Sequence, residues 1–446
     1  MLPERRRRSL LGIAGTLLAL VAACAGPAVP TGPTSSTTTS GPSPTAATTS
    51  TTTTSTSTST TTTIPLPPAR AWEVPAAGIP TSPRSADWAS RIWNHADAFD
   101  RNLSIEFGLD EPSNDYSIPV YSTAGATTAA RIFRRPPELW NGHWDIGVGD
   151  TVPWNPTWLP SDGNDGFIVI VDPATGREWD IWALSTPAFN PEFLDQDDCL
   201  DDDASVDAGY DPGVHLCAAA VSIIRRPDGS VADTRTYRGN YPPPSGAGLQ
   251  NTAGLATPAE VQSGAIRHAL KLMVSPVLSM TGPACPPDVT SPDDPRVGTT
   301  CGLAIAPASK HERVYEVGSA TALARMVPHG TRTVLDMTDA QIEAWLTSRG
   351  YTGRLRETAR IFAVALRDYG MIQTDSTGGP ALIQVSGGRN PSVAAAWRAL
   401  GIADDGSRLL DGLMTADNLR VLAPPVNRCG GVVTTRACWA DDIWYP

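Results

Sequence analysis

The residues best suited to chemistry lie in the run Glu178-Trp179-Asp180-Ile181-Trp182. Side chains alternate along a strand, so Glu178, Asp180 and Trp182 share one face, and Trp179 and Ile181 share the other. Two carboxylates beside an aromatic ring suit cleavage of a glycosidic bond. One carboxyl gives a proton to the leaving oxygen, the other attacks or activates water, and the ring stacks on a sugar. Asp165, in the string Asp162-Gly163-Asn164-Asp165-Gly166, is a third carboxylate candidate, and His268 is an accessory acid–base candidate. Trp179 and Trp182 are the candidate substrate-stacking rings. The plain alternative is a strand with one wet face, its carboxylates paired with Arg177 or solvent.

The elements that must position these groups are legible nearby. Residues 167–171 (FIVIV) are a short apolar run of the kind that forms a buried strand. The stretch Asp172-Pro173-Ala174-Thr175-Gly176 follows as a turn, and the period-two run after it completes a hairpin. A second hairpin is expected over residues 218–237 around Arg226-Pro227-Asp228-Gly229. Residues 72–182 hold nine of the thirteen tryptophans amid frequent Pro and Gly, a strand-and-turn texture. Helices are expected later, over residues 255–420. Thr257-Pro258-Ala259-Glu260 is a capping box with Pro at the first helical position, and residues 339–348, 354–369 and 391–400 have helical periodicity. This order predicts an α+β, β-rich fold, with a β-sandwich or jelly-roll-like core and appended helices in the C-terminal half.

Residues 165–182 (DGFIVIVDPATGREWDIW), 254–274 (GLATPAEVQSGAIRHALKLMV) and 365–372 (ALRDYGMI) resemble a family of secreted, largely actinobacterial proteins without a settled activity. The resemblance spans most of residues 110–425. It implies a β-rich fold and export, and it lends no catalytic residue. The strand segment alone is similar to the Glu-x-Asp-x-Glu signature of laminarinase-type glycosidases. It departs from it at Trp182, where that signature has its acid/base Glu.

Arg5-Arg6-Arg7-Arg8, an apolar stretch over residues 10–23 and Val21-Ala22-Ala23-Cys24 read as a lipoprotein signal peptide over residues 1–23. The apolar stretch is short for a membrane span. Cys24 is the expected lipidation site, and residues 24–68 are a Ser/Thr/Pro-rich linker with too few large apolar residues to fold. Residues 69–446 are then one β-rich domain, exported and held by lipid on the outer face of the membrane. With Cys24 assigned to lipid, Cys199, Cys217, Cys285, Cys301, Cys429 and Cys438 remain. Proximity favours the pairs Cys199–Cys217, Cys285–Cys301 and Cys429–Cys438.

The formal net charge is −12, and Lys271 and Lys310 are the only lysines. That balance argues against nucleic acid as a partner. No Walker loop, dinucleotide fingerprint or Gly-x-Ser-x-Gly elbow occurs, so neither a nucleotide cofactor nor serine hydrolysis is expected. No Cys or His spacing fits zinc, and no metal ligand is assigned, although calcium is a candidate for the acidic run between Asp197 and Asp203. His268, His311 and His329 come from separate segments, and their convergence on one cleft is an open expectation. The expected function is a surface lipoprotein acting on polysaccharide, a glycoside hydrolase using a carboxylate pair. The alternative is a non-catalytic glycan- or partner-binding scaffold of the cell wall.

Overall fold

The computed structural model describes residues 70–95, 103–109, 116–135, 142–162, 165–194, 199, 209–275, 278, 283–312, 320–377, 381–403 and 406–446. All of them belong to one compact unit, Thr60–Pro446. The expected signal segment, Cys24, the expected linker and, apart from Cys199, the acidic run of residues 195–203 lie outside the described residues.

The strands run in chain order as β1 (Leu103–Glu106), β2 (Val120–Ser122), β3 (Thr128–Arg134), β4 (Thr151–Trp154), β5 (Ile168–Val171), β6 (Glu178–Trp182), β7 (Leu216–Ala218) and β8 (Ala220–Ile223). They continue as β9 (Leu270–Val274), β10 (Arg332–Leu335), β11 (Met371–Ser376), β12 (Ala381–Gln384), β13 (Leu419–Val421), β14 (Val426–Cys429), β15 (Val432–Thr434) and β16 (Ile443–Trp444). The described helices are α1 (Arg70–Glu73), α2 (Ser85–His95), α3 (Pro258–Gln262), α4 (Ala320–Arg325), α5 (Asp339–Ser348), α6 (Gly353–Asp368) and α7 (Pro391–Ala399). The fold is therefore mixed α+β and β-rich, with most helices in the C-terminal half.

The expected hairpin is present. β5 and β6 pair antiparallel, with Val171 opposite Glu178 and Val169 opposite Asp180. Gly176 closes the turn at φ +70°, a conformation that costs a side-chain-bearing residue free energy. These strands belong to a four-stranded sheet ordered β2-β5-β6-β8. One face of it, Ile168, Ile170, Trp179, Ile181, Val221 and Ile223, packs in one apolar cluster with Ile132, Val152, Trp154 and Leu216 of the three-stranded β4-β3-β7 sheet. This is the sandwich, and Trp179 lies in its core.

A six-stranded mixed sheet, β1-β12-β9-β11-β10-β13, carries the larger core. Leu270, Leu272 and Val274 of β9 alternate onto the face that packs with Trp345, Phe362, Leu366 and Trp397 of α5, α6 and α7. Lys271 and Met273 face the other way. The capping box of α3 forms as expected: Thr257 Oγ1 accepts from the Glu260 N–H, and the Glu260 carboxylate accepts from the Thr257 N–H.

Two expectations need correction. The tryptophan-rich N-terminal stretch contains α2, with Trp88 and Ile92 buried one turn apart, rather than strands alone. The second hairpin is short. After β8 only Arg225 bridges Val231, and residues 234–236 turn instead of extending. The three disulfides are those that proximity favours, Cys199–Cys217, Cys285–Cys301 and Cys429–Cys438. Each clips a local loop, a constraint that contributes about 2–4 kcal/mol. No helix among the described residues is long and apolar enough to cross a membrane.

Candidate functional site

The four-stranded sheet turns its second face, that of Glu178, Asp180 and Trp182, toward the face of the six-stranded sheet opposite the helices. A cleft of about 560 Å³ opens here. β6 contributes Asp180 and Trp182, and the turn before β5 contributes Asp165. β11 contributes Asp375 and Ser376, and the loop after the cis Ala306–Pro307 bond contributes Lys310 and Glu312. Residues 242–246 form part of the rim, with Tyr116 and His143 also lining the cleft.

Asp375 reaches this cleft through a β-bulge. Along β9 and β11, Gln373 pairs with Leu272, but Asp375 pairs with Met273, so the register slips by one residue. Paired residues point the same way. Without the slip Asp375 would pair with Val274, on the helix-packed face; with it, Asp375 joins the face of Lys271. Re-aiming a side chain is a common consequence of a bulge.

Asp375 and Glu312 converge. The Gly246 N–H donates to Asp375 Oδ2 at 3.0 Å, and the Ser376 N–H to Oδ1 at 3.0 Å. The Ser376 hydroxyl donates to Glu312 Oε1 at 2.8 Å, while Glu312 Oε2 is buried and without a hydrogen-bond partner. A Cβ added at Gly246 would collide with Asp375 Oδ1 and stand 3.1 Å from Glu312 Oε2. Both oxygens thus lie within 3.1 Å of one point. They are closer together than the ~6.5–9.5 Å that separates the carboxyl groups of inverting glycosidases.

Burial, and then the charge of Asp375, push the Glu312 pKa up to about 7. Burial raises Asp375 as well, but its two N–H donors and the charges of Lys271 and Lys310 oppose that rise. The N–H donors and lysine charges around Asp375 favour the charge there and the proton on Glu312. Two neighbouring carboxyls whose environments push their pKa values apart are a recurrent acid–base arrangement.

Behind the cleft wall lies a second layer. Glu178 is 0% exposed and accepts from the Thr252 hydroxyl at 2.7 Å, with the Thr252 N–H at 3.3 Å. Asp180 is 2% exposed, reaches the cleft, and hydrogen-bonds the Glu178 carboxyl, with the Asn251 N–H as a further donor. Lys271, 1% exposed, donates to the backbone carbonyl and the Oδ1 of Asn251, both at 3.3 Å. Its charge also acts on Glu178, Asp180 and Asp375, and burial brings its own pKa down to about 8. Burial, then the charge of Glu178, hold the Asp180 pKa well above the carboxylate range. Both lysines of the chain stand at this one site.

The residues expected from sequence divide accordingly. Asp165, Asp180 and Trp182 line the cleft, and the Trp182 indole N–H donates to Asp165 Oδ1 at 3.1 Å. Burial raises the Asp165 pKa. Glu178 is buried behind the wall, and Trp179 fills the sandwich core with Arg177 stacked 4.7 Å from its ring. His268 does not line the cleft; its ring nitrogens sit 2.9 Å from the Ala269 carbonyl and 2.9 Å from Glu260 Oε1. His329 is buried beside Gln373, and its pKa is lowered to about 3 by burial and then by the charge of His311. His268 and His329 thus do not share one set of partners. Glu312, Asp375 and the two lysines were not singled out from sequence as site residues. The one available signal was that a chain with 34 basic residues has only two lysines.

Among the described residues no group of three or more His, Cys, Asp and Glu is arranged to hold a metal ion. Comparison with protein-family models, curated proteins and solved structures gives no match. The functional reading therefore rests on the geometry of the cleft.

Proposed function

We propose that this chain is a glycoside hydrolase acting on a neutral polysaccharide by a retaining mechanism. The observation that carries the reading is the convergence of Glu312 and Asp375 beside Gly246 in a cleft that also holds Trp182. Glu312, protonated near neutral pH, gives its proton to the glycosidic oxygen as the bond to the anomeric carbon breaks. Asp375 attacks that carbon and forms a glycosyl–enzyme ester. Glu312, now a carboxylate, takes a proton from water as the water displaces Asp375, which restores both groups. Trp182 supplies a stacking face, and Asp165 a hydrogen-bond acceptor for sugar hydroxyls. The surplus of carboxylates in the cleft disfavours uronic-acid polymers. Three disulfides agree with an oxidising, exported location. Lipid on Cys24 and a reach-giving linker complete the proposal of a tethered surface enzyme.

The test is release of reducing ends by the full chain from laminarin, arabinoxylan, galactomannan, arabinogalactan and dextran. Glu312→Gln and Asp375→Asn are each expected to lower kcat by about 10²–10⁴. Release that neither substitution alters would overturn the assignment. Binding without release would favour the scaffold alternative.

A further inference from the structure

We propose that the C-terminal β14–β16 segment forms a second, non-catalytic glycan site that holds a distal stretch of the chain being cleaved. The inference rests on the reading of the cleft as a glycosidase. An open cavity of about 730 Å³ is lined by Trp439, Trp444 and Tyr445, with Arg428, Asp441 and Asp442 around them. Aromatic faces ringed by hydrogen-bonding groups match the two surfaces of a pyranose or furanose, its C–H face and its hydroxyl edge.

Each of these residues is anchored independently of a ligand. Trp439 follows Cys438, which is bonded to Cys429, and packs edge-on against Tyr241 with centroids 5.4 Å apart. The main chain of Trp444 is fixed in β16, where it pairs with Val426 of β14. The Tyr445 hydroxyl accepts from Arg332 Nη1 at 3.2 Å, and that guanidinium lies 5.6 Å from the ring centroid. Arg332 is itself anchored, donating from Nε to the Tyr369 carbonyl at 2.7 Å. A platform ordered in advance loses little entropy on binding.

The position of Tyr241 links the two cavities. Its ring touches Trp439, and its hydroxyl donates to Asp145 Oδ2 at 2.6 Å and lies 3.3 Å from His143 Nε2. His143 lines the catalytic cleft. The cavities thus approach each other across one tyrosine, and a single polysaccharide chain can occupy both. A short oligosaccharide in the cleft reaches only one.

The test uses the full chain in affinity gels containing laminarin, arabinoxylan, galactomannan, arabinogalactan or dextran. Wild type is expected to be retarded by at least one. Trp444→Ala should weaken that retardation about tenfold, as loss of one buried anchor does, and Trp444→Phe should restore most of it. Hydrolysis of a short oligosaccharide of the same polymer should be unchanged in Trp444→Ala. Asp442→Ala, at an exposed position, provides a variant that leaves the rings intact and should weaken retardation. Retardation unaltered in both Trp444→Ala and Asp442→Ala overturns the site, as does a wild-type chain retarded by none of the five. Retardation that depends on Trp444 in a chain that hydrolyses nothing supports the site and overturns the glycosidase reading instead.

Discussion

The Ser376 hydroxyl donates to Glu312 Oε1 at 2.8 Å and ties the loop that follows Lys310 to the strand that carries Asp375. One carboxyl of the cleft is thereby oriented by the residue next to the other. The arrangement leaves Glu312 Oε2 as the oxygen without a hydrogen-bond partner.

The pH dependence follows from this pair. Glu312, with its pKa raised to about 7, acts as an acid only while protonated. The kcat/KM profile is expected to be bell-shaped, with its alkaline limb near pH 7 and its acid limb set by Asp375. Stability carries the same sign. A carboxyl whose folded pKa lies above its ordinary 4.5 contributes stability below that value and loses it as pH rises through about 7. Glu312→Gln should therefore raise Tm relative to wild type more at pH 8 than at pH 5, as scanning calorimetry can measure.

Gly246 is a steric test of the site. A methyl group there displaces Asp375 while deleting no acid or base. Gly246→Ala should lower kcat by tenfold or more, because small misplacements of a reacting group are costly. KM should change less. Steady-state kinetics on any polymer that wild type cleaves separates the two.

Lys271 is the cation within the buried carboxylate layer. Replacing it with Met leaves Glu178 and Asp180 without a compensating charge, and loss of one partner from a buried charged group costs about 3–5 kcal/mol. Adding Glu178→Gln to Lys271→Met should recover part of that loss, because Glu178 is the partner that Asp180 stabilises as a carboxylate. Urea unfolding of the single and double variants measures both.

His268 should matter for stability and not for turnover. Burial pushes its pKa down, but the hydrogen bond and charge of Glu260 outweigh burial and raise it overall. Its contribution is present below its ordinary value of 6.5 and lost as pH rises through the raised one. His268→Gln should cost about 1–3 kcal/mol at pH 6, less at pH 9, and leave kcat unchanged.

The parts of the molecule legible in the sequence are local ones. Period-two alternation and the Asp172–Gly176 turn specify the β5–β6 hairpin, the Thr257/Glu260 box specifies the start of α3, and short separations specify the disulfides. Alternation also identified the shared face of Glu178, Asp180 and Trp182, but a face has no depth in sequence. That Glu178 is sealed beneath Thr252 depends on a loop some 70 residues away. The proposed catalytic pair is less legible still. Glu312 and Asp375 meet across separate segments, and Asp375 faces the cleft only through a register slip that a strict alternation pattern assigns to the opposite side. Helix α2 was hidden by the Pro and Gly around it, although Trp88 and Ile92 have helical spacing.

The most direct test of the account is pre-steady-state hydrolysis of a dinitrophenyl glycoside of the sugar released from the preferred polymer. Such a leaving group needs no proton, so Glu312→Gln should still show a burst of dinitrophenol while losing polymer cleavage. Asp375→Asn should show no burst and cleave neither substrate. A burst that persists in Asp375→Asn, or polymer cleavage that persists in Glu312→Gln, would contradict the roles assigned to this pair.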